Sequence, residues 1–219
     1  MKNDSQIQAD VLLELKFNPS ITHEHIGALV SNGIVTLSGT VPSYIEKLAA
    51  EKAVKRVAGV KAIIEKVEVE LKGMHQKDDG DIAEAVLSHF KWNIQVPDSL
   101  IKIKVESGWV QLSGEVEWNY QRAEAERCVR ALSGIKGVVN NITLKSKNVQ
   151  PEAIRQKIEE AFSREADRDA KKINIDIHGG KVTLSGTVRS YAEMDGARHA
   201  AWNTAGVTNV ENNMRVTDY

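Results

Sequence analysis

One nine-residue phrase occurs three times in this chain. Gly33–Val41 reads GIVTLSGTV, Gly108–Val116 reads GWVQLSGEV and Gly180–Val188 reads GKVTLSGTV. A repeat at this long period dictates the architecture before any single residue is weighed, because each repeat is one folding unit. The register holds without a gap over residues 7–69, 82–144 and 154–216. Ile7, Val11 and Leu15 fall on Ile82, Val86 and Phe90, and on Ile154, Ile158 and Phe162. Downstream, Val67 and Val69 fall on Ile142 and Leu144, and on Met214 and Val216. The 219 residues are therefore read as three domains, 1–70, 78–145 and 150–219, joined by short polar linkers. A domain of about 60 residues is marginal alone.

Each copy opens with an apolar stripe at i, i+4 and i+8, the mark of an amphipathic helix. The period then switches to two, as in Ile173, Ile175 and Ile177 alternating with Asn174 and Asp176. In the first copy this strand carries Ile26, Ala28 and Val30 inward, and the less polar Gly27 and Leu29 suggest a covered outer face. Asn32-Gly33, Ser107-Gly108 and Gly179-Gly180 supply tight hairpin turns. The phrase itself is the second strand. Its glycines Gly39, Gly114 and Gly186 interrupt the inward row of large residues, which marks a bulge or a close approach.

A second helix follows, with capping boxes read at Ser43-Tyr44-Ile45-Glu46 and Ser190-Tyr191-Ala192-Glu193. Its small residues, Ala50, Ala125 and Ala197, then Ala53, Cys128 and Ala200, predict a helix lying close over the strand glycine. Gly59, Gly134 and Gly206 read as C′ stops. The fold class is α+β: three tandem α-β-β-α-β domains, each a three-stranded sheet with two helices on one face.

Composition excludes several functions. The formal net charge is −1, and the copies are each close to neutral, so no nucleic-acid partner is expected. The single cysteine, Cys128, forbids a disulfide framework and is read as a small buried hydrophobe. No apolar run reaches the ~18 residues of a membrane span. Met1–Gln6 is followed by no signal-like apolar stretch, so the reading is cytoplasmic, or periplasmic if a leader has been removed.

His23 and His25 are the only closely spaced histidines, and no cysteine or carboxylate cluster accompanies them, so no metal and no cofactor are expected. No serine, histidine and acid recur together, so the chain is read as non-enzymatic. Gly134-Ile135-Lys136-Gly137 has the G-x-x-G form of an RNA-binding loop, but it sits at the end of helix two. Its second glycine is read as incidental.

What the copies do not share is more informative. Trp92, Trp109 and Trp118 all fall in the central copy, with Tyr120 nearby. Trp109 and Trp118 stand where the other copies carry Ile34 and Lys181, and Ser43 and Ser190. Trp109, Trp118 and Tyr120 are the candidate contact patch, either for a partner or for a neighbouring copy. Trp202, in place of Lys55, is a further exposed candidate.

The Leu-Ser-Gly-x-Val segments ending at Val41, Val116 and Val188, with Gly59-Val60, Gly134-Ile135 and Gly206-Val207, resemble the BON domain, over nearly the whole chain. The resemblance implies a binding protein of the osmotic or general stress response, associated with phospholipid surfaces or a membrane-associated partner. The alternatives it implies are a potassium-binding protein and a protein–protein scaffold. With balanced charge, lipid association has to lean on apolar insertion rather than on clustered Lys and Arg.

Overall fold

A computed structural model describes residues 2–71, 73, 76–146, 149–164, 173–188 and 191–216. Each copy has the same element order. In the first, helix α1 (Asp4–Phe17) leads through a 3-10 turn at His23–His25 into β1 (Ile26–Ser31) and β2 (Ile34–Val41), then α2 (Tyr44–Lys55) and β3 (Ala62–Val69). The second comprises α3 (Asp79–Trp92), β4 (Ile101–Glu106), β5 (Trp109–Val116), α4 (Asn119–Arg130) and β6 (Gly137–Leu144). The third comprises α5 (Pro151–Arg164), β7 (Ile173–His178), β8 (Lys181–Val188), α6 (Tyr191–Trp202) and β9 (Asn209–Val216). Two compact units are described separately: residues 1–93, 103–112 and 126–140, and residues 94–102, 113–125 and 141–219.

The repeated phrase is the central strand of every sheet, whose orders are β1-β2-β3, β4-β5-β6 and β7-β8-β9. β1 pairs antiparallel with β2 through the hairpin, with Ala28 opposite Leu37. β3 pairs parallel with β2, with Val35 opposite Ile63, because α2 carries the chain back across the sheet. The third copy repeats both pairings. One face of the first sheet presents Ile26, Ala28, Val35, Leu37, Val41 and Val67 to the stripe Ile7, Val11 and Leu15 of α1 and to Ala50, Ala53 and Val54 of α2. The third copy has the same core from Ile154, Ile158 and Phe162 to Met214. Fully burying each such large side chain is worth about 1.5–3 kcal/mol.

The other sheet face stays open. Leu29 is 69% exposed, so the outer face of β1 is uncovered in this chain, against the expectation.

The glycines are needed for reasons the sequence pattern did not reveal. Gly39 and Gly114 take φ of 128° and 140°, a region closed to most side chains. A Cβ on Gly39 would overlap the His25 carbonyl oxygen, and one on Gly114 the Leu100 carbonyl oxygen. The close neighbour is therefore backbone at the start of the adjacent strand, not the helix. Gly186 has the same conformation, with φ 120°. Gly59, Gly134 and Gly206 are left-handed as expected, at 99°, 89° and 91°. They are not C′ residues, however: α2 ends at Lys55 with Arg56 as its C-cap. The glycine comes three residues later, where a Cβ would lie 2.9 Å from Ile7 Cδ1 of α1. It lets the loop pass over the first helix.

The Ser43 box is half formed. Ser43 Oγ accepts from Glu46 N at 3.3 Å. The buried Glu46 carboxylate turns away and accepts from Thr22 N instead. In the second copy the equivalents are Pro97, which has no N–H, and Gln121. There Gln121 Oε1 accepts from Glu117 N and Trp118 N, at 3.1 and 3.0 Å. Ser190 lies outside the described residues, so the third box has no counterpart in this description.

Candidate interaction surfaces

The hairpin turns carry a contact that sequence reading missed. Asn32 N and Gly33 N donate to the two oxygens of Asp4, at 2.7 and 2.9 Å. Ser107 N and Gly108 N donate likewise to Asp79, again at 2.7 and 2.9 Å. Both turn residues have positive φ: 54° and 77° in the first copy, 53° and 81° in the second. That conformation points consecutive amides one way, and the first residue of the helix supplies the anion. In the third copy the matching residue is Pro151, which has no carboxylate, and the turn is Gly179-Gly180. Gly179 is left-handed at 60°, whereas Gly180 lies outside that region. The signal was in the sequence as Asp4, Asp79 and Pro151, three residues before each apolar stripe.

The three candidate aromatics are divided between the two units: Trp109 falls in the first, Trp118 and Tyr120 in the second. Trp109 opens β5 and Trp118 lies two residues past its end. Trp109 is 49% exposed. Its ring lies over Gly137 on β6, where a Cβ would overlap the ring carbons. Gly137 is therefore not incidental: it makes room for the indole. The matched pairs are Ile34 with Ala62 and Lys181 with Asn209, so Trp109 and Gly137 changed together in size.

Trp118 is half-buried and helps line a cleft of about 500 Å³ with α5 and α6. Tyr120, just inside α4, is 50% exposed. Trp202 is not an exposed residue: it packs on the third core, and the Arg122 guanidinium sits 5.1 Å from its ring centroid. Cys128 is half-buried, with Asn93 Nδ2 at 3.0 Å from its sulfur. Among the described residues, no group of three or more His, Cys, Asp or Glu side chains converges in metal-binding geometry, His23 and His25 included.

Among the described residues, the most exposed aromatics lie elsewhere. Phe17, at the end of α1, is 86% exposed, and Trp92, at the end of α3, is 85% exposed. They occupy the same repeat position, which in the third copy is Arg164. On α1, Phe17 continues from the exposed Leu13 one turn earlier, a second apolar stripe on the face opposite the core. On α3, Leu87 is exposed as well. Phe17, Leu13, Trp92 and Leu87 all fall outside the buried i, i+4, i+8 stripe of their helices.

Charge on the open sheet face also separates the copies. In the first, Leu29, Thr36 and Ile64 stand side by side across the three strands. In the third the same row is Asp176, Thr183 and Glu211. Lys181 Nζ meets Glu211 at 2.6 Å, and that hydrogen bond, helped by Asn213, holds the Glu211 carboxyl below its ordinary pKa. On the other side of the first sheet, burial raises Glu65 above the usual carboxylate value, with Lys47 at 3.9 Å pulling the other way.

Three copies of one small α+β sandwich, with a common core and divergent surfaces, define a tandem-repeat protein. The chain belongs to the BON domain family, whose model matches residues 3–70, 78–146 and 151–218. It is 32% identical over 149 residues to osmotically-inducible protein Y of Escherichia coli (strain K12), an alignment covering 65% of this chain and 73% of that protein. Superposition on two structures of CdsD, a structural protein of the type III secretion system of Chlamydia trachomatis, gives TM-scores of 0.29 and 0.27. The identities are 13% and 15%, covering 96% and 99% of this chain and 92% and 100% of those chains. Likeness at that level carries no argument here.

Proposed function

We propose that this chain is a non-enzymatic stress-response binding protein that associates reversibly with phospholipid surfaces. Its likeness to a protein named for osmotic induction supports the stress-response part. The single observation behind the lipid part is the pair of apolar helix tips, Phe17 and Trp92, each more than four-fifths exposed at one repeat position. A near-neutral chain has little electrostatic hold on anionic lipid, so insertion of such side chains has to supply the energy. Fully burying a large apolar side chain contributes about 1.5–3 kcal/mol, roughly tenfold to a hundredfold in partitioning. Among the described residues no helix is long and apolar enough to cross a membrane, and the proposed attachment does not require one.

Co-sedimentation of the full chain with phosphatidylglycerol/phosphatidylcholine vesicles tests this. The Phe17→Ser, Trp92→Ser double variant should lose at least about tenfold in partitioning. Trp109→Ala, whose ring already lies on Gly137, should behave as wild type. Equal sedimentation of the double variant and the parent would remove the lipid reading and leave a protein scaffold.

A further inference from the structure

The cleft beside Trp118 is a different kind of surface from the helix tips. It lies between α5 and α6, and small residues, Ala161, Gly196 and Ala200, form part of its lining. At the first two of these positions the other copies carry larger polar side chains: Glu14 and His89 for Ala161, and Glu124 of the second copy for Gly196. The third copy therefore carries smaller side chains at these positions than the second does. Its cavity of about 500 Å³ is in the usual range for small-molecule sites.

The lining has a consistent chemistry. Lys157 and Arg164 stand two turns apart on α5, and His199 faces them from α6, with Glu160 the one acid between them. The Glu160 carboxylate accepts from Gln156 Nε2 at 3.0 Å. Neither Lys157 nor Arg164 has an ion-pair partner among the described residues. The indole of Trp118 supplies an apolar wall, and it stands where the other two copies have serine. A guanidinium fork and an ammonium together suit a tetrahedral dianion, and an indole suits a flat apolar body beside it.

We propose that this cleft binds a phosphate monoester carrying a compact apolar group. Such an ester could be a free small molecule or the headgroup end of a lipid, and the test separates the two. The full chain is titrated with phenyl phosphate and with inorganic phosphate, followed by calorimetry and tryptophan fluorescence. Phenyl phosphate should bind saturably at about millimolar concentration or below, more tightly than inorganic phosphate. Lys157→Ala with Arg164→Ala should weaken it at least about tenfold, and Lys157→Arg alone should retain it. Trp118→Ala should bring phenyl phosphate down to the affinity of inorganic phosphate. Near-ultraviolet circular dichroism of each variant checks that the fold is kept.

Vesicles containing phosphatidic acid, whose headgroup is a phosphate monoester, would assign the ester to a lipid if they displace phenyl phosphate. Failure to displace it would assign a free ester. The Phe17→Ser, Trp92→Ser variant should bind phenyl phosphate as the parent does, so this site and the membrane reading fail independently. No saturation by phenyl phosphate at about ten times that concentration, or unchanged affinity in the Lys157→Ala, Arg164→Ala variant, would overturn the proposal.

Discussion

The first and third copies have the same core and nearly opposite surfaces. The inward residues correspond position for position, from Ile7, Val11 and Leu15 to Ile154, Ile158 and Phe162. The outer sheet face is Leu29, Thr36 and Ile64 in one, and Asp176, Thr183 and Glu211 in the other. The helix tip is Phe17 in one and Arg164 in the other. The hairpin is held by Asp4 in one, while the other has Pro151 and two glycines. Packing constrains the interior of every copy alike, so ligand-facing differences can accumulate only outside it. A repeat protein of this kind divides its work among surfaces, not among folds.

The largest expected effect tests what the copies share. Gly114→Val should destabilise the second copy by about 3 kcal/mol or more, because it combines a strained φ with overlap on the Leu100 carbonyl. Denaturant unfolding measures it, and a loss near the average of about 1 kcal/mol would mean that the backbone shifts easily there. The next effect tests a difference. Asp4→Ala removes two charge-assisted bonds from the first hairpin and should cost about 1–2 kcal/mol, with Asp79→Ala similar. Pro151→Ala in the third copy removes no such bond and should cost less. Hydrogen exchange at the turn amides reads all three variants separately.

The smallest effect is one of sign. Glu211 has a lowered pKa, so its contribution to the third copy is present at neutral pH and lost as pH falls through its folded value. Glu65 has a raised pKa, so the folded first copy takes up its proton more readily and its charge costs stability at neutral pH. Glu65→Gln should therefore stabilise slightly at neutral pH and make no difference in acid. Glu211→Gln should do the reverse, and melts at neutral and acidic pH compare them.

Much of this was legible in the sequence. Periodicity placed the first helix and the hairpin strands of each copy, because burial on one face forces the 3.6 and 2.0 periods, and capping and small residues placed the second helix; among the described residues these are six α-helices and nine strands. The glycines were recognised as close approaches, but the partner was read as the helix. Backbone-to-backbone contacts such as Gly39 on the His25 carbonyl leave no side-chain trace to read. Glu46 was placed in a capping box because the local spacing fits, yet its carboxylate bonds to Thr22, a partner no local motif announces. Trp109 was correctly set on the outer face, but its partner Gly137 is 28 positions on, across a parallel strand pair. Phe17 carries no mark in the sequence and Trp92 stands out only as one of the central tryptophans, because apolar stripes mark what is buried and these residues are informative by being exposed.

Position 17/92/164 offers the most direct test of the account. The vesicle partition coefficient can be compared across four full-length chains: with no apolar tip (Phe17→Arg with Trp92→Arg), with one (Phe17→Arg alone and Trp92→Arg alone) and with two (the parent). If the tips carry membrane association, partitioning should rise by at least about tenfold with each tip added. A flat series across all four proteins would contradict it.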